Sequence, residues 1–141
     1  MRRLLAFVLL SIALLSAPLA MHPPSVEAAP ALSPVPRAAP PPYQVGIASW
    51  YGQFFQGKET TSGHPYNMYA MTAAHRTLPL GTRVRVTNLE NHLAVVLTIN
   101  DRGPVPTTRV IDLSYAAARA LHFVGEGLTP VSIDILHRGA Q

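Results

Sequence analysis

Apolar and polar residues alternate with period two in several short stretches of this chain, and each such stretch predicts a strand with one buried face. Val45 and Ile47 alternate with Gln44, Gly46 and Ala48, predicting a first strand that runs out at Ser49-Trp50-Tyr51-Gly52. Arg83-Val84-Arg85-Val86-Thr87 alternates clearly, so one of its faces is wet. Ala94-Val95-Val96-Leu97-Thr98-Ile99 is β-branched or apolar throughout and reads as a more deeply buried strand. The polar loop Asn88–His92 joins these two as a hairpin, with Asn91 expected to take the positive φ of the turn. Arg109–Leu113 and Val131–Ile135 complete the strand pattern. Between them Ser114 predicts an N-cap for a helix through Leu121, where Ala116-Ala117-Ala118 has high helix propensity. Many short strands with one helix argue for a small closed barrel, which leaves no exposed sheet edge.

The chemistry concentrates where the apolar strand breaks, at Asn100-Asp101-Arg102-Gly103-Pro104. Gly103 and Pro104 turn the chain out of the sheet. Asp101 is thereby left at the rim of a rigid scaffold, a place suited to a general acid. A turn aspartate that bonds its own backbone or pairs with Arg102 is the competing structural reading.

The N-terminus has a different organisation. Arg2 and Arg3 precede the apolar run Leu4–Leu15 and then Ser16-Ala17-Pro18-Leu19-Ala20, the order of a secretory signal. Residues 1–28 are read as this signal, with cleavage after Ala20 or Ala28. Residues 29–42 form a Pro/Ala-rich linker, in which Pro30, Pro34, Pro36 and Pro40–Pro42 favour an extended conformation that buries no core. The folded domain is placed at 43–137 and a short tail at 138–141. Export to the periplasm or beyond follows, with no transmembrane segment in the mature chain. The chain contains no cysteine, so neither a disulfide nor a lipid on an N-terminal cysteine is expected. From Ala29 onward nine Lys and Arg stand against six Asp and Glu, an excess of +3 that suits an anionic polymer or membrane surface, yet no basic run or aromatic RNA-binding motif argues for nucleic acid.

Six motifs in order resemble the rare lipoprotein A (RlpA) family: Gly46-Ile-Ala-Ser-Trp-Tyr-Gly52, Met71-Thr-Ala-Ala-His75, Thr77-Leu-Pro-Leu-Gly-Thr82, Val86-Thr-Asn-Leu89, Asn100-Asp-Arg-Gly-Pro104 and Ile111-Asp-Leu-Ser114. The resemblance implies a mainly β fold, a six-stranded double-psi β-barrel with one or two short helices, related to expansin. It also implies a monomeric lytic transglycosylase acting on peptidoglycan glycan strands that lack stem peptides, without cofactor or metal. The family's acid/base falls on Asp101 and its motif histidine on His75, while His64 stands where the family usually carries a functional Glu.

A lytic transglycosylase can work with one carboxyl group, which donates a proton to the leaving oxygen and then accepts one from the sugar's own 6-hydroxyl. Asp101, His75 and His64 are the catalytic candidates. Trp50, Tyr51, Ser62, Tyr66 and Arg102 are the substrate-binding candidates, with Tyr51 expected to stack on a sugar and Trp50 to join the core. Asp112 reads as structural, beside the helix start. The alternative function is a non-catalytic, expansin-like wall-binding module. A third reading lets His64, His75 and Asp101 converge on a divalent metal.

Overall fold

The computed structural model describes residues 38–140, so the signal segment and most of the linker lie outside the described residues. Six strands close into a barrel: β1 (Gln44–Tyr51), β2 (Thr72–His75), β3 (Arg83–Asn88), β4 (Ala94–Asp101), β5 (Ile111–Ser114) and β6 (Leu128–His137). Around the barrel the order is β1-β5-β2-β4-β3-β6. β1 runs parallel to β5 and β2 parallel to β4, while the remaining neighbours are antiparallel. The one α-helix among the described residues, α1 (Tyr115–Ala120), follows β5 directly. Among the described residues no helix is long and apolar enough to cross a membrane.

The alternation seen in the sequence is what fills the barrel. Val84 and Val86 of β3, Leu97 and Ile99 of β4, Ile111 and Leu113 of β5, and Val131 and Ile133 of β6 are fully or almost fully buried in one cluster. Arg83 and Arg85 face water, as their positions between the valines require. Gly46 permits β5 to approach, because a Cβ there would collide with the Val110 side chain. Ser114 caps α1, its Oγ accepting from Ala117 N at 3.2 Å.

β2 was not assigned as a strand from its own pattern. Thr72-Ala73-Ala74-His75 is too short and too poor in β-branched residues to announce one, and its neighbours β4 and β5 recruit it. In the β3–β4 loop the positive φ of 63° falls on His92 and not on Asn91. Asn91 is engaged otherwise, with Oδ1 accepting from Leu93 N and Nδ2 donating to the Leu121 carbonyl.

Asn88, 2% exposed, joins three elements at the base of the barrel. Its Nδ2 donates to Leu121 O at 3.0 Å, and its Oδ1 accepts from Thr129 Oγ1 at 3.0 Å and Glu90 N at 2.9 Å. Asn88→Ala strands those buried partners and is expected to cost about 2–3 kcal/mol. Urea denaturation of the two proteins checks it, and a loss below about 0.5 kcal/mol would contradict the role given to this network.

Candidate active site

The register between β2 and β4 decides which way Asp101 points. Ala73 pairs with Ile99 but Ala74 pairs with Asp101, so Asn100 is an extra residue at a β-bulge. Without it, Asp101 would share the inward face of Ile99 by simple alternation. Ala74 also pairs with Asp112 on β5, and Asp112 with Ser49 on β1. Residues in register share a face, so Ser49, Asp112, Ala74 and Asp101 form one row across four neighbouring strands. The small side chain of Ala74 leaves a gap between the two carboxylates.

A long loop between β1 and β2 folds over this row and makes a pocket. Its cavity of about 160 Å³ is lined by Tyr51, Phe55, Lys58, Tyr66, Asp101 and Asp112 among others. That is small for a ligand site, with room for one end of a substrate. The loop is stapled to the end of β4: Ser62 N donates to Asn100 O at 3.1 Å. Thr61 donates to Asp101 Oδ1 from both its backbone N (2.9 Å) and its Oγ1 (2.7 Å). Arg102 N adds a third bond to the same oxygen at 2.8 Å. All three donors converge on Oδ1 and leave Oδ2 without a partner among the described residues. The carboxyl is therefore held in a fixed orientation with one oxygen free.

Asp112 belongs to the pocket as well, which the reading of it as structural did not anticipate. Its Oδ1 accepts from Ser49 Oγ and, at 3.1 Å, from Arg109 Nε, while Arg109 Nη2 lies 3.4 Å from Oδ2. Its charge is thus compensated. The strand alternation of Ile111-Asp112-Leu113 places it opposite the core, but only the pairing with Ala74 places it beside Asp101.

Tyr51 lines the pocket as expected, but its ring is packed by Tyr66 (centroids 4.4 Å apart) and Phe55 (5.8 Å). Its hydroxyl is buried and has no partner among the described residues. Burial, then the negative charge of Asp101, pushes that phenol well above its ordinary pKa, with smaller contributions from Tyr66 and Asp112. Tyr66 is a buried strut: its hydroxyl donates to Tyr51 O at 2.6 Å and accepts from Tyr115 N at 3.3 Å. Trp50 packs against the core and lies 5.6 Å from Tyr115, centroid to centroid, as its assignment to the core anticipated. Ser62 acts in the loop, sharing a 2.8 Å hydroxyl bond with Thr60.

Two of the three catalytic candidates are elsewhere. His64 is exposed on the loop, outside the pocket lining, and its carbonyl accepts from Thr60 N and Oγ1. His75 is 3% exposed at the end of β2, with Nδ1 accepting from Thr77 N (3.2 Å) and Leu78 N (3.1 Å). Its Nε2 lies 2.9 Å from Gln44 Oε1, which selects the tautomer with the proton on Nε2. Its link to the site is indirect: Arg102 Nη1 donates to the carbonyls of His75 and Leu78. Among the described residues no three His, Asp or Glu side chains gather as a metal site would require, so His64, His75 and Asp101 do not converge. Thr61 and Lys58 are the site residues that the sequence pattern did not mark.

Residues 43–133 match the family model described as lytic transglycolase. The chain belongs to this family. Its RlpA-type domain is 57% identical over 91 residues to the probable endolytic peptidoglycan transglycosylase RlpA of Synechocystis, covering 64% of this chain and 28% of that protein. The endolytic peptidoglycan transglycosylase RlpA of Pseudomonas aeruginosa is 52% identical over 90 residues, with 64% and 26% covered. That of Campylobacter jejuni is 47% identical over 96 residues, with 68% and 35% covered. The chain thus spans about a quarter to a third of the length of these relatives. Among solved structures, Streptomyces papain inhibitor superposes with a TM-score of 0.55 at 21% identity, covering 69% of this chain and 98% of its own. An expansin of Clavibacter michiganensis gives 0.54 at 23% identity, with 69% and 52% covered. These likenesses establish the expansin-like double-psi barrel of the RlpA domain.

Two outcomes follow from the geometry. Burial, with help from Arg76 and Arg102, lowers the His75 pKa to about 4, against about 6.5 in an unfolded chain. Between those values the unfolded state binds a proton that the folded state refuses, so stability falls as pH drops through that window and is fully present above about 6.5. Wild type should therefore lose more stability than His75→Gln between pH 7 and 4.5 in denaturant titrations. Parallel curves would exclude a neutral, buried His75. Tyr51→Phe removes an unpartnered buried hydroxyl and should stabilise the domain by about 1 kcal/mol, read from the same titrations. A marked loss would mean that the hydroxyl has a partner in solution.

Proposed function

We propose that this chain cleaves the glycan strands of peptidoglycan, at stretches lacking stem peptides, by lytic transglycosylation with Asp101 as acid and then base. The observation that carries this is the orientation of Asp101: Oδ1 is clamped by three donors and Oδ2 is free in the pocket. As the acid, the carboxyl gives a proton from its unclamped Oδ2 to the glycosidic oxygen as the C–O bond breaks. An oxocarbenium-like centre develops at C1. The sugar's 6-hydroxyl attacks that carbon and its proton returns to Asp101, leaving a 1,6-anhydro end and a restored acid. The family relationship supports this chemistry, and so does the state of the second carboxylate. Asp112 is tied to Arg109 and Ser49, a poor arrangement for a base that must activate water. Tyr51 lines the same space, with its hydroxyl buried behind the pocket surface. Arg102 and His75 serve as positioning residues for the end of β4, through the His75 carbonyl. The reading also places the protein outside the cytoplasm, where the wall lies, delivered by the N-terminal signal.

Asp101→Asn keeps the shape and removes the acid. Release of anhydro-ended products from strands lacking stem peptides, followed by mass spectrometry, should fall at least about 100-fold. Product release at the wild-type rate would overturn the assignment.

A further inference from the structure

The pocket is lined by three carboxylate residues, Glu59, Asp101 and Asp112, and by two cationic residues, Lys58 and Arg102. Three cations lie near the site, and their engagements differ. Arg109 is paired with Asp112, the salt bridge found among the described residues. Arg102 is held through Nη1 by the carbonyls of His75 and Leu78. Of the three, Lys58 alone has its charged group on no oxygen of the described residues. Its Nζ stands 3.6 Å from the centroid of the Phe54 ring and 5.1 Å from that of Phe55. Phe55 in turn lines the pocket and packs edge-on against Tyr51. The backbone beneath it is fixed, because Lys58 N donates to Phe55 O at 2.9 Å and Lys58 O accepts from Tyr66 N at 2.7 Å. Two aromatic rings thus hold an ammonium at the pocket rim without neutralising it.

We propose that Lys58 binds the free lactyl carboxylate of a muramic acid residue and so selects glycan from which the stem peptide has been removed. This rests on the glycan-cleaving reading above and names the group that sets its substrate. In a peptide-bearing strand the lactyl carbonyl is a neutral amide that extends into a bulky peptide. Removal of the peptide leaves an anion at the same atom. Asp112 is already paired with Arg109, so the free ammonium at the rim is the cation left to meet an anionic sugar, and its compact charge is a fitting partner for a single carboxylate. A reaction that hydrolyses the lactyl amide must therefore come before this one.

The test uses the full chain and two forms of one substrate: strands lacking stem peptides, and the same strands with their lactyl carboxylates converted to primary amides. Calorimetry of wild type should show about fivefold tighter binding of the acid form, a ratio that salt abolishes. Lys58→Gln should bind both forms alike, and Lys58→Arg should restore the preference. Lys58→Met, which keeps the aliphatic stem on the Phe54 ring, serves if the Gln variant is poorly folded. Equal binding of both forms by wild type, or an unchanged preference in the Gln and Met variants, overturns the proposal. Asp101→Asn is measured in parallel for product release. Full activity of that variant would discard the acid assignment, while the affinity ratio would still decide the role of Lys58.

Discussion

The shift of register between β2 and β4 is the constraint on which the site depends. Two strands that pair in parallel at Thr72–Thr98 and Ala73–Ile99 jump by one residue at Ala74, and the jump turns Asp101 out of the core. Asn100 absorbs the mismatch, and its side-chain oxygen is left buried and without a partner. A bulge disrupts its ladder locally, and such irregularities gather next to active sites because they re-aim a side chain. The closed barrel makes this one dependable. β2 is hydrogen-bonded on both sides, so it cannot slide against β4 without breaking its pairing to β5.

Once Asp101 faces outward, the loop from β1 to β2 completes the site. It brings Thr61 to the carboxylate and Tyr66 beneath Tyr51. It also carries Lys58 and its aromatic supports to the rim. Beyond β4, Gly103 takes a φ of 138°, a backbone region that side chains disfavour, and lies against Ala74 and Asp112. Arg76 clamps the following turn through the carbonyls of Pro104, Pro106 and Arg109. The two carboxylates are thereby engaged differently: Asp112 is taken up by Arg109 and Ser49, while the donors to Asp101 gather on Oδ1 alone.

Local physics made much of the fold readable along the chain. The valines of β3 and the alternation in β6 are periodicities of two that burial of one face enforces, and the β-branched apolar run of β4 marks a strand by its composition. The Ser114 cap is readable for a similar reason, because its hydroxyl bonds a backbone group three residues away. Asp101 was legible because Gly103 and Pro104 mark the strand end, and the RlpA-type motifs carried the six-stranded closure. The two histidines were legible as residues but not as roles: one is a buried acceptor for two backbone amides, the other stands in the solvent.

The parts that stayed hidden share one cause. Strand β2, the outward turn of Asp101, the place of Asp112 in the pocket and the service of Thr61 all depend on residues distant in sequence. No periodicity within a segment records which neighbour it will pair with, or in what register. Tyr51 shows the same limit: the residue type foretold an aromatic at the pocket, but its ring is packed by Tyr66 and Phe55 and its hydroxyl is buried. Sequence patterns thus settled five of the six strands, where the helix starts and which carboxyl ends the apolar strand. Closure of the barrel decided the pairings, and with them which side chains meet, because a one-residue shift in register exchanges the buried face for the exposed one.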